Sequence, residues 1–101
     1  MPINNIQLIR DLLNRWNNRI LSEIPSPFTA FDYLKRFREL NYRGYNFCLD
    51  NAGGAEVFNS WFARWFLIGL EKDGRISRTG RRSRITSVHG RPSRNVEWVR
   101  N

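Results

Sequence analysis

From Asn5 to Leu21 the large apolar residues recur as Ile6, Ile9, Leu13, Trp16 and Ile20. Steps of three and four put them on one side of a helix, with Leu12 beside them and Arg10, Asn14, Asn17 and Asn18 on the other. This predicts a first helix over 5–22, stopped ahead of Pro25 because proline disfavours helical geometry in the residue before it. Ser26-Pro27 offers one start signal and Thr29-Ala30-Phe31-Asp32 a better one, a capping box with Asp where Glu or Gln is usual. Phe31, Leu34, Phe37 and Leu40 then form an apolar stripe, with Lys35, Arg36, Arg38 and Glu39 outward, which predicts a second helix over 29–40 closed by Asn41–Gly44. Tyr45–Leu49 is short and apolar, and fits a strand or a turn of helix equally. After the break at Asn51-Ala52-Gly53-Gly54, a long helix is predicted over 55–72. Its bulk, Val57, Phe58, Trp61, Phe62, Trp65 and Ile68, falls on one arc. Glu56, Asn59, Ser60, Ala63, Arg64 and Glu71 lie opposite, with Leu67 among them, and Asp73-Gly74 ends the helix.

Beyond Gly74 the period shortens. Arg75–Arg78 fits a short strand, and Ile85–Val88 and Asn95–Val99 alternate as half-buried strands do. Two loops are expected between them, Thr79–Arg84 and His89–Arg94. The fold class is therefore α+β, mainly α: a three-helix core followed by a C-terminal basic β-hairpin. Its 101 residues suffice for one hydrophobic core and not two, so residues 1–101 form a single domain. At 41% hydrophobic and 14% aromatic the chain is too apolar to stay disordered. Aromatics at helical spacing, Trp61 and Trp65 included, are expected in the core.

Charge divides the chain. Residues 1–71 hold eight basic and seven acidic groups, net +1. Residues 72–101 hold Lys72 and eight Arg against Asp73 and Glu97, net +7. Such a concentration repels itself unless it is spread in water or neutralised by a polyanion. Arginine is the form that suits phosphate and guanine edges.

Other chemistry is sparse. The lone Cys48 excludes an internal disulfide and a cysteine-based zinc site, and is expected to be a small buried hydrophobe in a reducing compartment. Arg10 and Asp11 interrupt Ile6–Leu13, and Arg64 interrupts the short run Trp61–Leu70, so neither export nor membrane insertion is expected. His89, Ser87 and Asp50 have no spacing that assembles them into a catalytic group, so no enzyme activity, metal or cofactor is predicted. Gly53-Gly54 lacks the rest of a phosphate-cradling loop and reads as a turn. Arg81-Arg82-Ser83-Arg84 also matches weak import-signal and kinase-site patterns.

Leu70-Glu71-Lys72-Asp73-Gly74-Arg75-Ile76 resembles the passage from recognition helix to wing in winged-helix domains. Ile76-Ser77-Arg78-Thr79-Gly80-Arg81, then Gly90-Arg91 and Val96-Glu97-Trp98, resembles the wing of small helix-turn-helix proteins of bacteria and their phages. The resemblance spans residues 28–100 and is sharpest over 54–99. It implies a cytoplasmic regulator, in a bacterial host cell, that binds double-stranded DNA without a cofactor. Residues 55–72 would enter the major groove with Asn59, Ser60 and Arg64 toward the bases, and Ala63 would allow close approach. Arg75, Arg78, Arg81, Arg82, Arg84, Arg91 and Arg94 would hold the backbone. Two features depart from the family pattern: 14 residues, 41–54, separate helix two from the long helix, and Glu56 and Glu71 share the proposed DNA face. The rival reading is a phage-type adaptor or inhibitor whose Arg-rich wing binds a host protein, such as a nucleic-acid-processing enzyme. Helix 5–22 offers a homodimer surface under either reading. RNA ranks below DNA because no exposed aromatic sheet is evident.

Overall fold

The computed structural model describes residues 5–86 and 92–101, and the side chains of all of these except 81–86 and 92–95. It is mainly helical, with four helices followed by a two-stranded antiparallel sheet. The helices are α1 (Ile6–Glu23), α2 (Ala30–Leu40), α3 (Tyr42–Ala52) and α4 (residues 55–72); the strands are β1 (Ile76–Thr86) and β2 (Pro92–Arg100). None of the helices among the described residues is long and apolar enough to cross a membrane.

α1 buries Ile9, Leu13 and Ile20 and ends ahead of Pro25, as its pattern predicts, and buries Leu21 besides, while Ile6 and Trp16 are half-buried. Asn17, expected outside, is fully buried. It lies four residues after Leu13 and so shares that side of the helix, where the Tyr33 hydroxyl donates to its Oδ1 at 2.6 Å. Its Nδ2 has no hydrogen-bond partner. The α2 capping box forms in full: the Thr29 hydroxyl accepts from the Asp32 N–H while the Asp32 carboxylate accepts from the Thr29 N–H. The buried stripe of α2 is Tyr33, Leu34 and Phe37; Phe31, placed on it from the sequence, is 57% exposed.

A fourth helix occupies the segment left undecided by its sequence, so the expected three-helix core is corrected to four. Asn41 ends α2, its N–H bonded to the Phe37 carbonyl, and starts α3, its side chain accepting from the Gly44 N–H. A Cβ at Gly44 would collide with that Asn41 side chain. Tyr45 and Cys48 turn inward, Tyr45 meeting Phe37 and Phe58 edge-on with ring centres 6.2 Å away in each case. Burial pushes the Cys48 thiol up to about 12. Gly53, with φ at +93°, closes α3 in the left-handed conformation that glycine adopts at little cost.

α4 contains one wide turn. Ala55–Trp61 and Leu67–Lys72 are α-helical, while Phe62–Phe66 is a π-helical turn in which the Leu67 N–H reaches back to the Phe62 carbonyl. Such a turn accommodates one extra residue and rotates everything after it. Phe58, Trp61 and Phe62 are buried as expected, but the stripe then continues through Phe66, Leu67 and Leu70. Trp65, predicted as core, is 62% exposed, and Leu67, predicted on the polar side, is fully buried. The rotation exchanges one buried tryptophan for Phe66 and Leu67 together. Phe66 stacks on Phe62 at 5.4 Å, and Tyr33 of α2 packs against Phe62 at 4.9 Å.

The hairpin is longer and more continuous than predicted. Thr79–Arg84, expected as a loop, lies within β1, and Pro92–Arg94, expected at the end of the second loop, lies within β2. Arg78 pairs with Trp98 and Arg82 with Val96, so Thr79-Gly80-Arg81 stands opposite Glu97 alone and β1 carries a bulge. Gly80 takes φ +83° there, a conformation that a side chain would strain. At the other end Phe28 exchanges two backbone hydrogen bonds with Trp98, both 2.8 Å, extending the sheet by one residue. Trp98, Ile76 and Phe28 are all buried there, joining the sheet to the helical core.

Candidate nucleic-acid interface

α4 and the hairpin are consecutive in the chain, and the turn between them is built tightly. Gly74, at φ +77°, lets the Arg75 N–H bond the Leu70 carbonyl while its own N–H bonds Glu71. The hairpin therefore leaves α4 in a fixed direction. Asn101 reinforces the turn, its Nδ2 donating to the Gly74 carbonyl and its backbone N–H to the Arg75 carbonyl.

The three base-reading candidates of α4, Asn59, Ser60 and Arg64, are all exposed, as is Ala63 between them. They share the side of α4 opposite Phe58 and Phe62, where the sequence pattern puts them. Among the described side chains, two of the Arg candidates have structural partners. Arg75 donates from Nη2 to Asn18 Oδ1 at 3.0 Å, tying the hairpin to α1. Arg78 pairs through Nε with Glu71 at 3.2 Å and lies over the Trp98 ring at 5.3 Å. The Glu71 carboxylate, expected to repel phosphates, thus has a cation beside it. Arg81, Arg82 and Arg84 occupy β1 and Arg94 occupies β2. Arg91 lies outside the described residues.

The antiparallel register places Arg84 directly opposite Arg94, and Arg82 two positions further toward the core. Strand alternation assigns these three positions to one face of the hairpin. No carboxylate occupies a position among residues 74–96. The arrangement suits a ligand that carries closely spaced negative charge.

Two features were hidden from sequence reasoning. The exposure of Trp65 depends on the wide turn; its only sequence signal is the competing apolar set Phe66, Leu67 and Leu70, which cannot share a straight α-helical stripe with Trp61 and Trp65. Arg100, absent from the candidates, donates to the Leu21 carbonyl at 2.6 Å and fastens the last strand to α1. Among the described residues there is no group of three or more His, Cys, Asp or Glu that could hold a metal.

No protein-family model matches the chain, and neither a curated protein nor a solved structure matches it.

Proposed function

We propose that this chain binds double-stranded DNA as a small winged-helix regulator of bacterial or phage type, reading the major groove with α4 and gripping phosphates with the hairpin. The observation that carries the reading is the register that opposes positions Arg84 and Arg94, with Arg82 assigned to the same face and no carboxylate among residues 74–96. Like charges directly opposed across strands destabilise a sheet. A phosphate backbone offsets that cost and supplies the polyanion that the net +7 of residues 72–101 calls for. The order α1, the Phe28 bridge, α2, then α4 running into the hairpin, supports the winged-helix part of the reading. So does the exposed set Asn59, Ser60, Ala63 and Arg64. α3 fills the segment where the family has a short turn, so α3, and not a loop, sets the angle of α4.

A second reading, an adaptor that docks on a host protein, is favoured by one observation. Phe31, Lys35 and Arg38 follow one another at helical spacing on α2, and Arg38 lies over the ring of Tyr42, the first residue of α3, at 5.8 Å, with Phe31 57% and Tyr42 59% exposed. Phe31 precedes Tyr33 by two residues, about 200° around the helix, so this ridge faces away from α4.

Fluorescence anisotropy with generic duplex DNA, from about 50 to 200 mM salt, separates the two readings. DNA binding requires affinity that falls steeply across that range. An absence of binding at the lowest salt rejects it in favour of the adaptor.

A further inference from the structure

We infer that Trp65 is a base-stacking residue, receiving the face of an unpaired or unstacked nucleobase on its indole while Arg64 meets the neighbouring phosphate; the inference rests on the nucleic-acid reading above.

Three consecutive residues of α4, Ala63, Arg64 and Trp65, are exposed. In a straight α-helix Trp65, one turn after Trp61, would lie on the buried stripe with it. The π-helical turn at Phe62–Phe66 takes it off, because it moves the stripe on to Phe66 and Leu67. π-helical turns are rare in globular proteins and concentrate at functional sites. Here the turn leaves a tryptophan 62% exposed, four residues after Trp61, which is buried and lies beneath the Arg10 guanidinium at 5.8 Å. The helix thus holds one indole inside and presents the next one outside.

The surroundings select the occupant. Trp65 follows Arg64 directly on a helix that also exposes Asn59 and Ser60, in a chain whose residues 72–101 carry net +7. An indole offers a flat π surface, which any base can stack on regardless of sequence. The adjacent guanidinium suits the phosphate of the same nucleotide.

The test uses the full chain and its Trp65→Ala and Trp65→Phe variants. Each is titrated by anisotropy onto a perfect duplex and onto the same duplex carrying one extrahelical 2-aminopurine. Wild type is expected to prefer the bulged duplex by about tenfold and to quench the 2-aminopurine emission. Trp65→Ala is expected to lose both effects while keeping its affinity for the perfect duplex, and Trp65→Phe to retain part of them. Equal affinity of wild type for the two duplexes, or an unchanged preference in Trp65→Ala, overturns the inference and leaves the DNA reading standing. No binding of wild type to either duplex overturns both. If Trp65→Ala fails to fold, Trp65→Phe decides: partial loss of quenching and preference at an unchanged melting temperature supports stacking, and full retention of both overturns it.

Discussion

At its root the hairpin is part of the core: Trp98 is buried, bonded through its backbone to Phe28, covered by Arg78, and followed by Arg100 on the Leu21 carbonyl. Beyond the bulge at Thr79-Gly80-Arg81 the same two strands oppose Arg84 with Arg94 and place Arg82 beside them. In the root the basic groups are spent on internal contacts: Arg75 on Asn18, Arg78 on Glu71, Arg100 on Leu21. In the outer part, arginines are gathered where the register brings like charges together. A stretch selected for stability alone would not be arranged so, because opposed like charges lower the stability of a sheet. The root therefore holds the fold, and under the proposed function the outer strands would meet the polyanion.

The largest expected effect comes from breaking the root. Trp98→Ala removes a buried indole together with its contacts and should cost about 3–5 kcal/mol, read as a lower urea midpoint. A loss below about 1 kcal/mol would mean that the root is not part of the core. Reversing the outer charges, with Arg82, Arg84 and Arg94 all changed to Glu, should do the opposite. Stability should stay within about 0.5 kcal/mol of wild type, since one like-charge repulsion is replaced by its mirror image. The slope of log affinity against log salt should flatten by about 3 as three phosphate contacts vanish. An unchanged slope would remove the hairpin from the interface.

Titration sharpens the same division from the core side. Burial holds the Tyr33 hydroxyl and the Cys48 thiol well above their ordinary values. Their acids ionise first in the unfolded chain, so stability is full below about pH 9 and declines as pH rises toward about 12. The loss attributable to Cys48 should be about 1.4 kcal/mol at pH 10, and Cys48→Ala should flatten the profile by that amount. The smallest effect is expected at the boundary between the regions. Glu71→Gln releases Arg78 from a half-exposed pair and should change stability by less than about 0.5 kcal/mol. It should also raise DNA affinity two- to threefold, roughly the gain from removing one repulsive charge. Weaker binding in this variant would show that Glu71 positions Arg78 for contact.

Local signals carried much of this molecule. Apolar spacing delimits α1, the Thr29–Asp32 pair starts α2, Gly53-Gly54 and Asp73-Gly74 bracket α4, and the arginine count marks the C-terminal segment as the charged one. These features are encoded within a few residues of where they act: caps, turns and periodic stripes need only their neighbours. The sequence by itself thus determined the helical bulk of the fold, the place of the hairpin, and the exposed set Asn59, Ser60 and Arg64. The tertiary structure decided what depends on distant partners. Tyr45–Leu49 is helical because Asn41 caps it and Phe37 and Phe58 receive Tyr45. Asn17 is inside because Tyr33, sixteen residues on, donates to it. Thr79–Arg84, polar enough to read as a loop, lies in a strand because β2 pairs with it on both sides of the bulge, at Arg78 and at Arg82–Arg84. Trp65 faces solvent because packing Phe66, Leu67 and Leu70 against α2 and the sheet outweighs a straight α-helix, and no window of sequence records what waits on the other side of a core.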